Sequence, residues 1–321
     1  MKSMRKLWLT IASVCVVVGC SIFAVTMTAC SWNFKALNTR KNISNTYEIN
    51  EDFNTISMDT STADITFLSS TDGKCKVVCQ EFEKEKHSVA VENSTLTIKA
   101  VNERKWYDYI GINIGKVDVT VYLPKTEYQS LVIKEDTGDI TLKGFTFDSI
   151  NIEISTGDVN LTDITCTGEI KIGVSTGDVN LQRITCKNFT SEGDTGEISL
   201  EDLNVEESIS ITRSTGDTEL DDVTCKTLIA VASTGELSME DVVATEKIEI
   251  ERSTGDVEFE RCDAPQIVIE TDTGDVEGSL LTGKEFVTET DTGKVRVPQN
   301  SAGGRCEITT DTGDIEITIV G

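Results

Sequence analysis

A tripeptide of Thr, Gly and an acidic residue begins at Thr137, Thr156, Thr176, Thr195, Thr215, Thr234, Thr254, Thr273 and Thr312, and with the unit at Thr292 counted successive copies lie 19 or 20 residues apart. Thr292-Gly293-Lys294 keeps the same beat with its charge reversed, and Thr62-Ala63-Asp64 reads as a degenerate earlier copy. A fixed period of this length means one supersecondary unit repeated and stacked, which removes most globular architectures.

Within each unit the pattern has period two. Val159 and Leu161, Val179 and Leu181, and Ile198 and Leu200 follow their turns, and a second alternating patch such as Ile170, Ile172 and Val174 comes later. Short alternating runs rich in Val, Ile and Thr, punctuated by Gly and Asp, predict strands. The predicted fold is therefore all-β: a single-chain parallel β-solenoid of about ten coils over residues 131–321. Coils stack about 4.8 Å apart, so ten would span on the order of 48 Å. The turn glycines, Gly138, Gly157, Gly177, Gly196, Gly216, Gly235, Gly255, Gly274, Gly293 and Gly313, are expected to supply a positive φ.

Charge follows the repeat. The chain has 55 acidic and 29 basic residues and a net charge of −26, which disfavours a nucleic-acid partner. Residues 1–130 hold 14 acids and 15 bases, and residues 131–321 hold 41 acids and 14 bases. The excess thus belongs to the repeats. Hydrophobic content of 38% suits a narrow core with much of each coil in water.

The N-terminus has a basic leader, residues 1–6, followed by an apolar run over 7–30, long enough to span about 30 Å of hydrocarbon. The expected reading is a single-pass signal anchor in the plasma membrane with the body extracytoplasmic. Two rivals share the segment: a cleaved signal, and a lipoprotein in which Met27-Thr28-Ala29-Cys30 acts as a lipobox with Cys30 lipidated. A similar motif ends at Cys20 but would leave an apolar mature N-terminus. Residues 31–50 read as a linker and 51–130 as an irregular β capping region, which solenoids need because open strand edges aggregate. The C-terminal end, Ile315 to Gly321, shows no obvious cap.

The STGD/DTGD/STGE series, VYLPK followed by LVI, the early STADITF and the basic-apolar leader together resemble the bacterial "putative adhesin" β-strand-repeat family, a domain of unknown function, in its membrane-anchored form. The resemblance covers roughly residues 50–321. It implies a surface-exposed β-solenoid with no established enzymatic activity.

The acids of the repeat, Asp139, Asp158, Asp178, Glu197, Asp217, Glu236, Asp256 and Asp275, broken by Lys294 and resumed at Asp314, form a ladder. Unscreened, each neighbouring pair would repel by about 0.9 kcal/mol in water. The ladder reads either as a solvated turn or as a collector of divalent cations, calcium being the candidate, although calcium wants six to eight oxygens. No other cofactor is expected. The Thr ladder reads as structural.

Cys15, Cys20 and Cys30 lie in the leader, leaving seven cysteines. Cys166, Cys186 and Cys225 share a repeat position with Phe147, Val205 and Ala244 and read as small core residues, although spacing permits a Cys166–Cys186 disulfide. No CxxC pair or His cluster suggests a zinc site. His87, the only histidine, sits in EFEKEKHS and reads as part of a solvated turn rather than a catalytic residue. WYDYIGINIG at 106–115 reads as an exposed binding loop.

The expectation is a surface structural or binding module without catalysis, taking a glycan or protein ligand, of unspecified oligomeric state. A cell-envelope sensor docking a membrane partner is the main alternative, and a polysaccharide-acting enzyme is a lesser one. No insertion is present to build cleft walls, so smooth faces are expected.

Overall fold

The computed structural model describes residues 2–29, 31–32, 41–109, 115–299 and 302–321. Helix α1, Lys2–Ala29, contains one stretch, Thr10–Ala29, that is long and apolar enough to cross a membrane. Cys30 lies outside the described residues. Among the described residues the remaining regular structure is β apart from one short 3₁₀ turn, and it is a solenoid.

Its first strands are β1 (Asn42–Ile49), β2 (Thr55–Thr60), β3 (Asp64–Ser69), β4 (Cys75–Phe82), β5 (Glu85–Glu92), β6 (Thr95–Asn102), β7 (Asp118–Leu123), β8 (Glu127–Thr137) and β9 (Ile140–Lys143). The degenerate motif Thr62-Ala63-Asp64 joins β2 to β3, and these pair in parallel with β8 and β9. Residues 55–69 are thus a true coil of the stack, with residues 70–126 looped out to cap its other side. There β6 and β7 continue the two parallel walls, and antiparallel strands finish them: β5 on β6, and β4 then β1 on β7. The segment read as a linker accordingly contributes an edge strand, β1, because Ile43, Asn45 and Tyr47 alternate toward the interior.

From β8 onward the units stack in register, Thr on Thr and apolar on apolar, as in Val159↔Val179, Leu161↔Leu181 and Ile164↔Ile184. Cys166 and Cys186 are register partners, and both are buried free thiols, as are Cys225, Cys262 and Cys306. Burial raises the Cys186, Cys225, Cys262 and Cys306 thiols to about 12.

A second turn was not legible in the motif. Asp163, Arg183, Asp202, Asp222, Asp241 and Arg261 occupy the left-handed region at φ of 52–56°. Gly144, the equivalent residue of an earlier unit, does the same at φ 78°. Several of these charged residues pair across coils, Arg183 Nε with Asp163 Oδ1 at 2.5 Å and Arg261 Nη2 with Asp241 Oδ2 at 2.6 Å.

The last coils do not stack in chain order. Strand Gln266–Thr273 pairs with Arg305–Thr312, and Arg305–Thr312 pairs on its other side with Glu285–Thr292. The second wall repeats this, with Ile315–Ile319 between Val276–Leu280 and Val295–Arg296. Residues 305–319 are therefore interior, and the unit carrying Lys294 forms the far edge. Lys284 secures the reversal: its buried ammonium donates to Asp263 Oδ1 at 2.5 Å, Thr282 Oγ1 at 2.6 Å and the Gly303 carbonyl at 3.0 Å. A short, largely polar edge ending in Lys294 and Arg296 presents charge to any incoming strand.

Candidate functional site

The acidic ladder is a backbone device. Asp139 N–H donates to Asp64 Oδ1, Asp158 N–H to Asp139 Oδ1, Asp178 N–H to Asp158 Oδ1 and Glu197 N–H to Asp178 Oδ1, at 2.8–3.2 Å. Glu236 donates to Asp217, Asp275 to Asp256, Asp314 to Asp275 and Lys294 to Asp314, at 2.7–2.8 Å. Each aspartate reaches the turn of the coil stacked above it. A hydrogen bond to a charged acceptor is worth about 1.5–3 kcal/mol, more than the roughly 0.9 kcal/mol of pair repulsion it tolerates.

In this order Lys294 does not break the ladder. It is the terminal member, and no coil above it needs an acceptor. The sequence placed Lys294 between Asp275 and Asp314 because it could not show that those two touch.

Eight turn glycines adopt φ of 133–159°, namely Gly138, Gly157, Gly177, Gly196, Gly216, Gly235, Gly255 and Gly313. A stronger constraint holds at all ten positions, Gly274 and Gly293 included: a Cβ there would overlap a backbone carbonyl of the adjacent coil. Close stacking, as well as φ, requires glycine.

An open groove of about 1040 Å³ crosses the first coils on the side that precedes the Thr-Gly turns. It departs from the smooth faces expected of uniform coils. Gly173 removes a side chain from its floor, whereas Gly193 faces the interior, where Arg213 takes up the space; Ser155, Ser175 and Ser214 line the groove with hydroxyls, and Asp136, Glu153, Glu192 and Asp194 make it acidic. Glu135 lies at its edge, buried, accepting from the Thr60 hydroxyl, from Ala63 N–H at 3.2 Å and from Thr137 N–H at 3.3 Å. Burial raises its carboxyl to about 8, against the opposing pull of these N–H groups.

His87 is not in a solvated turn. The turn is Glu83-Lys84, and the period-two alternation of β4 and β5 brings Cys79, Glu81 and His87 to the same interior. Glu81 Oε2 accepts His87 N–H at 2.7 Å and lies 2.8 Å from His87 Nδ1, while Oε1 accepts from Asn45 Nδ2 at 2.5 Å. Tyr47 Oη donates to the His87 carbonyl at 2.8 Å. Burial, then the Glu81 charge, pushes the Cys79 thiol up to about 12. Sequence spacing missed this cluster, because its members come from two strands of different walls.

Of the expected loop, Trp106–Tyr109 forms a short 3₁₀ turn with Trp106 77% exposed, and 110–114 lie outside the described residues.

Stacked Thr-Gly turns, an aspartate spine and an N-terminal β cap define a parallel β-solenoid of the repeat class. A family model described as Toastrack DUF4097 matches residues 53–318. The chain belongs to that family. Among solved structures it is similar to a "putative adhesin" from Bacteroides fragilis, at 18% identity over 87% of this chain and 97% of that one, TM-score 0.44. It is also similar to a "putative adhesin" from Parabacteroides distasonis, at 12% identity over 87% and 98%, TM-score 0.45. A "putative cell adhesion protein" from Clostridium sporogenes shares 11% identity over 88% and 100%, TM-score 0.22. Comparison with curated proteins returned no match.

Proposed function

We propose that the protein is an extracytoplasmic binding module of adhesin type, tethered to the membrane through Thr10–Ala29 and acting without catalysis. The observation that carries this reading is the groove across the first coils, whose serine hydroxyls and carboxylates present hydrogen-bonding partners at a regular inter-coil spacing. Such a surface suits an extended ligand rich in hydroxyls or amides, a glycan strand first of all. Glu135 belongs to the coil-to-coil packing, since its two oxygens serve Thr60, Ala63 and Thr137.

The test is a glycan array probed with the full chain in detergent, beside a Ser175→Trp variant that fills the groove. Binding that is lost in Ser175→Trp supports the reading. Binding unaffected by that substitution, or hydrolysis of the bound glycan, overturns it.

A second reading, a cell-envelope sensor that docks a membrane partner, draws on the exposed Trp106 and Tyr107 of the cap. Photocrosslinking from position 103 in cells should then recover one membrane protein, and loss of the crosslink in Trp106→Ala would support it.

A further inference from the structure

The end of the interior closed by β1, β4 and β5 differs from the rest of the core in the chemistry it gathers. Cys79, Glu81 and His87 are all buried, and one donor atom from each lies within 4.8 Å of the other two. A thiol, a carboxylate and an imidazole form a donor set of intermediate softness. Calcium and magnesium take oxygen ligands, whereas zinc takes this mixture in tetrahedral sites.

We propose that Cys79, Glu81 and His87 form a Zn²⁺ site with three protein ligands and a fourth position for water. The surroundings supply what such a site requires. Asn45 holds Glu81 Oε1, Oε2 accepts the His87 backbone N–H and has a second lone pair for the ion, and Tyr47 fixes the His87 backbone through its carbonyl. His87 also lines a cavity of about 330 Å³, which gives the ion an entry route.

Loading separates Glu81 Oε2 and His87 Nδ1 from 2.8 Å to about 3.3 Å, the edge of a tetrahedron with bonds near 2.0 Å. Cys79 releases its proton to solvent, and His87 keeps one proton by carrying it on Nε2 instead of Nδ1. Thiolate and carboxylate together cancel the charge of the ion, so the buried site is neutral overall. In the metal-free protein Glu81, His87 and Asn45 form a hydrogen-bonded brace within the cap.

The experiment uses the full chain in detergent, stripped with a chelator and titrated with Co²⁺ and then Zn²⁺. The expected result is one equivalent of Co²⁺ with the strong visible absorption of a tetrahedral ion and a near-ultraviolet thiolate charge-transfer band, both removed by Zn²⁺. Cys79→Ser should lose the charge-transfer band, Asn45→Ala should bind Zn²⁺ about tenfold more weakly, and Cys262→Ser, a buried thiol elsewhere in the solenoid, should behave as wild type. Wild-type protein that is folded by circular dichroism yet takes up no stoichiometric ion overturns the proposal, whatever the variants do. A charge-transfer band that survives in Cys79→Ser or disappears in Cys262→Ser overturns it equally.

Discussion

The backbone N–H of Asp314 donates to Oδ1 of Asp275 at 2.7 Å, across 39 residues of chain and the whole of an intervening repeat. The repeat that was passed over, carrying Lys294, donates in turn to Asp314 Oδ1 at 2.8 Å. The turn carboxylate therefore serves whichever coil lies above it in space.

Replacing that acceptor separates its hydrogen bond from its charge. Asp178→Ala should lower unfolding stability by about 2 kcal/mol, since Glu197 N–H loses a charged partner. Asp178→Asn keeps an acceptor oxygen and removes repulsion, so it should cost less than about 1 kcal/mol and gain relative stability at low salt. Lys294→Ala, at the edge, should fall within about 0.5 kcal/mol of wild type. Denaturant melts of the three variants check the ordering, and in zinc-free protein chelator should leave the midpoint where calcium does.

Gly177→Ala meets two obstacles at once, a φ of 139° and the Gly157 carbonyl oxygen in the path of the new methyl. Backbone strain of this kind costs about 1–3 kcal/mol before the coils are forced apart. We expect a loss above about 3 kcal/mol, with a broadened transition as the stack divides at that coil. A single sharp transition at the wild-type midpoint would contradict the close-stacking account.

Glu135 predicts a pH dependence with a definite sign. Its carboxyl is raised in the folded state to about 8 from an ordinary 4.5, so the folded protein holds the proton more tightly. The associated stability is fully present below about pH 4.5 and is lost as pH rises to about 8. Glu135→Gln, neutral throughout, should flatten this segment of the stability profile and equal or exceed wild type at pH 8. Melting curves at half-unit intervals would show it.

Arg252 is buried, with Nη1 donating to the Gly235 carbonyl at 2.8 Å and no partner for Nε. Burial lowers its guanidinium to about 10. Replacing a poorly compensated buried charge by an apolar side chain of similar length is neutral to stabilising by about 1–4 kcal/mol. Arg252→Met is therefore expected to raise the denaturation midpoint, whereas Arg261→Met, which removes the pairs with Asp241 and Glu240, should lower it.

The sequence could be read for strand period, turn position and the common inward face, because each follows from residues close along the chain. Thr62-Ala63-Asp64 was recognisable as a coil for the same reason. What could not be read was adjacency. Units spaced 19 or 20 residues apart fit either neighbour equally well, so nothing in Asp275 discloses that its partner is Asp314 instead of Lys294. His87 was misread because charged neighbours dominate EFEKEKHS, and because β4 and β5 part to join different walls, which local spacing does not disclose. The groove was hidden because it depends on a missing outward side chain, at Gly173, and not on an insertion.

The inserted position of residues 305–319 has a consequence for how the molecule is made. A solenoid whose coils stack in chain order can close each rung as it leaves the ribosome, but here the rung at 285–296 must wait for residues synthesised after it. Until those arrive, the growing end exposes an unfilled slot with strand edges on both sides, and the final rung is seated in one step. Assembly of this end is therefore out of chain order, its far rung seated only after residues 305–319, while the other end can be settled early.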